Sequence, residues 1–504
     1  MSTPMRTKPE ETRPAPAPAP AAPATAGPSV HGAEPQIPRN FVGYLKGMGP
    51  GIVVALSWLG TGDLINSSVS GANYGYVLMW ALVIATLARF FVVSALTKYQ
   101  LCNSASDQTI LDGFARVWKG FPIFLAVCSV GLGIVYHSFL FLGAGTALYY
   151  LFGQFGGDWG IFMWALVVLG VVLFMARNEN QYKGLEIIAN IAMAALVLIF
   201  LWALIGSGID FGQLVHGMTF SVPADRGAYG AWLVVVAIIG AVGGSVANLM
   251  YPYFVSDKGW RGPAYRKLQV YDLLFGVVSL IVLNLAIWIV AAQLMRGEGS
   301  TITGPEDLAH MMELAIGPAG PPLLWIAVFF CVFDNIGTQV YSFARIAVEA
   351  VHKTFPARAE RYGSLIHADD PDAPEVLKAA RFTHPEVDEP EVKPARHVRP
   401  AALMRDPMFR RIQLLLLLPP ILFTLPHGPS LVAITVFGNA IQVFVVPAMI
   451  VGLLWMTNHR KWMLKGFANK WWENAILLVI CGIGIWAAWG IAKGLPSSIA
   501  GLFG

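Results

Sequence analysis

The sequence predicts an all-α polytopic membrane protein, and three observations support this fold class. Of the 504 residues, 56% are hydrophobic and only 13% are charged, whereas soluble domains are roughly 25% charged. Long apolar runs recur along most of the chain. Two of these runs contain glycine pairs near their centres, and such pairs indicate places where a membrane helix unwinds.

About eleven hydrophobic runs of roughly 17 to 28 residues follow one another, and each can cross the ~30 Å hydrocarbon layer of a bilayer. The runs lie at approximately 48–70, 76–98, 121–150, 159–176, 184–206, 229–254, 270–295, 320–348, 411–426, 429–456 and 472–494. They define a transmembrane domain over residues 45–495. We therefore expect about eleven transmembrane helices in a bacterial inner or plasma membrane, with the lipid bilayer as partner.

Two polar regions flank or interrupt this domain. Residues 1–44 contain a proline-alanine run that cannot bury a core, which predicts a disordered tail rather than a signal peptide. A polar insertion at 352–408 contains four histidines: His352, His367, His384 and His397. Their spacing matches no metal-ligand template, which favours a solvated cytoplasmic loop over a metal sensor.

The distribution of basic residues predicts the orientation in the membrane. Basic residues concentrate in alternate connections, at Arg116, Lys119, Arg177, Lys183, Lys258, Arg261, Arg266, Lys267, Arg460, Lys461 and Lys465. By the positive-inside rule these connections are cytoplasmic. The N-terminus is then cytoplasmic, and an odd number of spans puts the C-terminus outside.

Composition and motifs also exclude several classes of function. The net charge of +4 is small and no basic patch is present, which argues against nucleic-acid binding. The four cysteines lie far apart and form no CxxC pair, so neither a disulfide framework nor a zinc cluster is indicated. The sequence has no phosphate loop, nucleophile elbow or HExxH motif. We therefore expect no enzyme activity and no cofactor.

The first apolar run is interrupted by Gly60, Thr61, Gly62 and Asp63. Each glycine weakens a helix by about 1 kcal/mol relative to alanine, and backbone groups freed in lipid must line a cavity or be buried in protein. A carboxylate near the bilayer centre costs at least ~2.5 kcal/mol, so Asp63 is interpreted as a functional group facing the protein interior. A simple kink, with the acid bonded to freed amides, is the alternative.

The sixth run contains a second interruption, Gly243-Gly244-Ser245, five runs after the first. Paired glycine-interrupted segments in corresponding positions indicate two inverted repeats with a binding site at the broken helices. Spans 1–5 and 6–10 are the predicted repeats, with broken first and sixth helices and a peripheral eleventh span. Close helix packing is the alternative role for Gly240 and Gly243.

Other polar residues inside apolar runs include Arg89, His137, Asp334 and Asn439. Asp63 and Asp334 in one hydrated cavity would suit cation coordination or proton relay, while broken-helix N-termini would also admit an anionic organic solute. For Arg89 the two interpretations are pairing with an acid and snorkelling to the membrane interface. For His137 they are titration during transport and a hydrogen bond in the protein core. Asn439 supplies an oxygen ligand or an inter-helix hydrogen bond.

Residues 48–490 resemble the natural-resistance-associated macrophage protein (NRAMP) family of proton-coupled divalent metal transporters. In the first span, Gly49-Pro50-Gly51 and Gly71-Ala72-Asn73-Tyr74-Gly75-Tyr76 are similar to the family framework. Further similar positions are Leu59, Ile239, Gly240, Ala241, Asn284, Arg345, Glu349, Pro447, Thr457, Arg460, Lys461 and Met463. The resemblance implies eleven helices, two inverted five-helix repeats and alternating access.

The departures from the family pattern fall on its metal site. The segment from Gly60 to Asp63 stands where the family has Asp-Pro-Gly-Asn, and Gly244 stands where it has a metal-binding methionine. Asp334 and Asn439 replace other polar residues, the latter a glutamine of the site. The chain thus resembles a divergent member without the usual metal-binding motifs. Loss of the thioether favours hard ions such as Mg²⁺ or Mn²⁺.

The sequence therefore predicts a secondary active transporter of divalent cations, coupled to protons or another ion. Its predicted binding residues are Gly60, Thr61, Asp63, Gly244, Ser245, Asp334 and Asn439, and its predicted relay or gating residues are Arg89, His137 and Asp334. Two alternatives remain open. One is transport of a small organic solute such as an amino acid, and the other is a non-transporting sensor or scaffold that uses the 352–408 insertion.

Overall fold

A computed structural model describes residues 61–104, 109–175, 197–226, 228–243, 245–366 and 397–503. All of them belong to the compact unit Pro38–Gly504. The regular secondary structure of the described chain is helical except for one pair of two-residue strands and an isolated bridge between Asn103 and Met463. This is the expected outcome for a chain in lipid, because a helix satisfies its own backbone hydrogen bonds.

The first part of the chain contains the helices that precede the predicted break in the sixth run and the two helices that flank it. They are α1 (Thr61–Tyr74), α2 (Met79–Cys102), α3 (Ile110–Val117), α4 (Phe121–Leu151), α5 (Gly160–Met175), α6 (Val197–Ser207), α7 (Phe211–His216), α8 (Ala231–Ile238) and α9 (Met250–Asp257).

The second part contains the longest described helix, α12. They are α10 (Arg266–Leu294), α11 (Pro305–Ile316), α12 (Gly320–Thr354), α13 (Pro356–Arg361), α14 (Pro400–Leu403), α15 (Pro407–Leu417), α16 (Leu431–Ala440), α17 (Val446–Asn458) and α18 (Trp471–Phe503). The strands β1 (Leu365–Ile366) and β2 (His397–Val398) pair antiparallel.

Each of the predicted apolar runs contains helix in the described residues. Eight helical stretches there are long and apolar enough to cross a membrane. The first run is described only from Thr61 and the fifth only from Val197. The ninth run is α15 followed by the 3-10 helix Pro419–Thr424. The all-α polytopic membrane fold is confirmed, whereas the predicted tail 1–44 lies outside the described residues.

The sixth run is broken where its glycines predict a break. Helix α8 passes into a π-helical turn, Ile239–Gly243, and the chain resumes as a 3-10 helix, Val246–Leu249, before α9. Side chains satisfy the freed backbone: the Ser245 hydroxyl accepts from the Ala247 amide at 3.1 Å, and the Asn248 amide donates to the Gly243 carbonyl at 3.1 Å. The described residues on either side of Gly244 are therefore held by hydrogen bonds from side chains.

The residue Asn439 on α16 lies against both α1 and the π-helical turn of the sixth run, whereas the predicted break at Gly60 in the first run lies outside the described residues. A Cβ built on Gly240 would lie 2.0 Å from the Asn439 carbonyl oxygen, and one built on Gly62 would lie 2.8 Å from its Nδ2. Only glycine permits this approach at Gly240, because the atom that it meets is backbone. The glycines thus serve close packing as well as the break.

The ends of the predicted 352–408 insertion are ordered, while residues 367–396 lie outside the described residues. His352 is buried at the end of α12 and contacts Asp406 at 2.8 Å and Ser364 at 2.7 Å. Arg358 donates twice to Asp406, at 2.7 and 2.9 Å. This cluster, together with the pairing of β1 and β2, anchors both ends of the insertion to the helices.

Hydrogen bonds from neighbouring side chains favour the ionised form of Asp406. Burial raises the pKa of this carboxyl, but hydrogen bonds from Arg358 and His352 outweigh burial and hold the pKa well below its usual range. A carboxyl with a lowered folded pKa contributes stability above its unfolded pKa of about 4 and loses it as the pH falls through the folded pKa. The cluster therefore persists at neutral and mildly acidic pH.

We expect Gly240→Ala to lower the free energy of unfolding by about 3 kcal/mol, since the added methyl group meets backbone that cannot move aside. Thermal unfolding of the purified protein in detergent would measure the effect. Gly131→Ala in α4 is the control, because a Cβ there meets no described atom within 4 Å. Equal melting temperatures for the two variants would contradict this account of the packing.

We expect Asp406→Asn to destabilise the protein by about 1–3 kcal/mol at pH 7, because the charge-assisted hydrogen bonds from Arg358 and the buried His352 are weakened or lost. The same melting assay applies, with Asp158→Asn in the exposed 3-10 helix Gly157–Trp159 as the matched control. A melting temperature for Asp406→Asn equal to that of the control would show that the cluster does not anchor the insertion.

Candidate functional site

A small cavity of about 20 Å³ lies where α1 and the break in the sixth run meet α2, α4, α12 and α16. Its lining consists of Asp63, Arg89, Tyr136, Ala241, Ser245, Ala247, Gln339, Asn439 and Gln442. A cavity of this size holds about one water molecule or an ion of similar size. Seven of these nine residues have polar side chains, which distinguishes the cavity from an apolar packing defect.

Two opposite charges face this cavity. Asp63 lies in the first turn of α1 and is 5% exposed, while Arg89 lies in the middle of α2 and is 2% exposed. The Nη2 of Arg89 donates to the carbonyl oxygen of Ala241 at 2.5 Å, and the charges of Arg89 and Asp63 attract each other. The negative charge of Asp63 and the positive charge of Arg89 therefore cancel in the cavity lining.

Amide side chains supply the remaining polarity. Gln442 donates to the Oδ1 of Asn439 at 3.1 Å. The Oε1 of Gln339 and the Nδ2 of Asn439 are buried and have no hydrogen-bond partner among the described residues. Buried polar groups are nearly always satisfied by protein, water or a ligand. These two atoms are therefore available to a ligand or water in the cavity.

The structure brings together part of the predicted site. Asp63, Ser245 and Asn439 line the cavity, and Arg89 lines it as well. Thr61 begins α1, but its side chain lies outside the described residues, as do Gly60 and Gly244. These three positions adjoin the breaks in the sequence.

Two other predicted residues do not belong to the described lining. Asp334 is half-buried on α12, and its carbonyl accepts from the Thr338 hydroxyl at 3.0 Å. His137 is fully buried, and its Nδ1 contacts the carbonyl of Gly133, one turn earlier on α4, at 2.6 Å. The structure therefore places neither side chain beside Asp63 in the cavity.

Sequence reasoning missed Tyr136 and Gln339 as lining residues. Gln339 is a polar residue inside the eighth apolar run, one helical turn from Asn335, and this signal could have identified it. Tyr136 precedes His137, but nothing in the sequence indicates which of these neighbours faces the cavity. The alanines of the lining contribute shape and backbone, for which the sequence offers no signal.

The lining can provide oxygen atoms but no cluster of strong metal ligands. Within the described residues, no three His, Cys, Asp or Glu side chains come together. A cation at this place would bind the carboxylate of Asp63 and neutral oxygens from Ser245, Gln339 or Asn439. Such an oxygen set suits hard cations better than soft ones.

Ion pairs join helix ends on one side of the cavity. Arg345 of α12 donates twice to Asp257 at the end of α9, at 2.8 and 3.0 Å. Lys353 of α12 pairs with Asp112 of α3, and Lys98 near the end of α2 pairs with Glu473 of α18 at 2.8 Å. The first pair connects the second half of the broken sixth helix to α12, and the other two join α12 to α3 and α2 to α18.

Neutral hydrogen bonds join helix ends on the opposite side. Tyr74, the last residue of α1, donates to the Tyr229 carbonyl at 2.5 Å. Asn73 accepts from the Ile302 amide at 2.8 Å, and Trp288 donates to the Gly75 carbonyl at 2.7 Å. The three contacts named on this side thus join neutral groups, whereas the three named on the other side are ion pairs.

Proteins similar to this chain transport metals. The divalent metal cation transporter MntH of Brucella suis is 23% identical over 301 residues, which cover 57% of this chain and 63% of that protein. This match spans less than two thirds of the relative's length. MntH of Bacillus subtilis is 23% identical over 337 residues, covering 65% and 76% of the two chains.

A solved structure shares the fold. The manganese transporter of Eremococcus coleocola, in complex with an aromatic bis-isothiourea substituted compound, superposes with a TM-score of 0.65 at 16% identity, covering 93% of this chain and 90% of that one. A model of the natural resistance-associated macrophage protein-like family, Nramp, matches residues 51–364. Because this match includes more than half of the sequence, the protein belongs to the Nramp family.

Proposed function

We propose that this protein is a secondary active transporter that carries a divalent cation through the cavity at Asp63 by alternating access, coupled to protons or another ion. One observation is the main support: Asp63 in the first turn of α1 and Ser245 at the break in the sixth run line the same cavity. Transporters built from inverted repeats bind their substrates at this kind of junction.

The size and chemistry of the cavity support an ion as the substrate. A volume of about 20 Å³ is sufficient for a single ion, whereas an amino acid would require the helices to move apart. The available ligands are oxygens, and no methionine lies in the described lining. We therefore propose a preference for hard ions such as Mg²⁺ or Mn²⁺. The names of the Brucella and Bacillus relatives agree with a divalent cation.

A second candidate substrate is a small organic solute, and Arg89 is the observation that favours it. A buried guanidinium binds carboxylates strongly, so Arg89 and Asp63 together could hold the two ends of a zwitterion such as an amino acid. The small cavity opposes this candidate in the present conformation. Solute-dependent thermal stabilisation without any effect of metal would favour the organic solute over the cation.

The positive-inside distribution of basic residues supports a cytoplasmic N-terminus and an external C-terminus as part of this proposal. The side of the cavity with ion pairs would then face the cytoplasm, and these pairs would have to separate for the cavity to open there. A non-transporting sensor or scaffold remains the alternative. Uptake that survives deletion of residues 367–396 would argue against it.

We expect Asp63→Asn to reduce Mn²⁺ or Mg²⁺ uptake into proteoliposomes at least tenfold, because the only carboxylate of the described cavity lining loses its charge. Asp158→Asn, which removes an exposed acid, should leave uptake unchanged. The assay uses a metal-sensitive dye inside the vesicles. Equal uptake by wild type and Asp63→Asn would contradict the assignment of the site.

We expect Gln339→Leu to change the melting temperature little and to reduce uptake about three- to tenfold. The Oε1 of Gln339 has no described hydrogen-bond partner, so replacing the amide by an apolar group of similar size costs little stability. The cation would lose a neutral ligand. A variant that unfolds more readily yet transports normally when folded would indicate that Gln339 has only a structural role.

A further inference from the structure

We propose that the Arg89 guanidinium is a resident cation that competes with the transported cation for Asp63 and for the carbonyl oxygen of Ala241. This inference rests on the proposed function and adds a specificity-determining residue to it. The geometry that supports it is the hydrogen bond from Arg89 Nη2 to Ala241 at 2.5 Å, inside the cavity that also contains Asp63.

The position of Arg89 is fixed by tight packing of α2 against the broken helix. A Cβ built on Gly243 would lie 3.0 Å from the Ala85 carbonyl oxygen and 3.3 Å from the Ala88 Cβ. Ala88 precedes Arg89 on α2, so the backbone that carries the guanidinium lies directly against the π-helical turn. The side chain is 2% exposed and reaches the break without crossing solvent.

The charge balance of the cavity makes the two cations mutually exclusive. Among the described lining residues, Asp63 and Arg89 are the ones with ionised side chains at neutral pH, and their charges cancel. A divalent ion added beside the guanidinium would leave two uncompensated positive charges in a buried space. Such charges repel strongly in a low-dielectric environment, so a divalent ion binds only when Arg89 withdraws from Asp63.

This competition has two consequences for transport. The empty site contains a compensated carboxylate instead of an isolated buried charge, which would otherwise be costly. The affinity for the cation is reduced by the strength of the interactions that Arg89 must give up. Ions of high charge density are favoured, because they gain most from replacing a diffuse guanidinium at a carboxylate and a carbonyl oxygen.

Removing the charge at position 89 should therefore tighten cation binding. We expect purified full-length Arg89→Gln to bind Mn²⁺ at least tenfold more tightly than wild type in isothermal titration calorimetry, a gain of about 1.4 kcal/mol. Arg89→Lys keeps a positive charge and should stay within about threefold of wild type. Adding Asp63→Asn to Arg89→Gln should abolish the gain.

The outcomes separate this inference from the proposed function. If wild type binds Mn²⁺ and Arg89→Gln binds it equally or more weakly, the competition is refuted while cation transport stands. If neither wild type nor any variant binds Mn²⁺ or Mg²⁺, both proposals fail. Arg89→Met, which keeps the length of the side chain, replaces the glutamine variant if that variant does not fold, and the same tenfold gain is expected.

Discussion

The attraction between Asp63 and Arg89 across one small cavity is the interaction on which the rest of the site depends. A single charge of either sign would be very costly at this depth, and the pair makes the cavity neutral. The guanidinium reaches the pair because α2 packs against the π-helical turn, where Ala241 accepts its hydrogen bond. The break in the sixth helix and the charge pair therefore support each other.

The helices and the second break could be predicted from the sequence, because apolar runs and glycine pairs are local signals. The eighth helix shows the limit of such signals. Its apolar run ends near residue 348, but α12 continues to Thr354, since Glu349 and Lys353 pair with each other and Lys353 also pairs with Asp112. His352 is therefore buried at a helix end although the sequence assigns it to a polar loop.

The composition of the site could be predicted only in part. Asp63, Ser245 and Asn439 lie beside the breaks or in the tenth span, and the structure brings them to one cavity. Asp334 shows why the other lining residues could not be predicted. Composition identifies the helix that contains an acid, but which face of the helix carries that acid toward the cavity depends on how the helix packs. Gln339, five residues later on α12, faces the cavity instead.

We expect one cation position, bounded by the side chains of Asp63, Gln339 and Asn439 and by the Ala241 carbonyl. Arg89 is displaced from that carbonyl when the ion is bound. A crystal structure of the protein in Mn²⁺, with anomalous diffraction to locate the metal, tests this most directly. The expected result is an anomalous peak within the cavity and a guanidinium that no longer contacts Ala241. A peak elsewhere, or full Mn²⁺ occupancy with Arg89 still bonded to Ala241, would contradict the account.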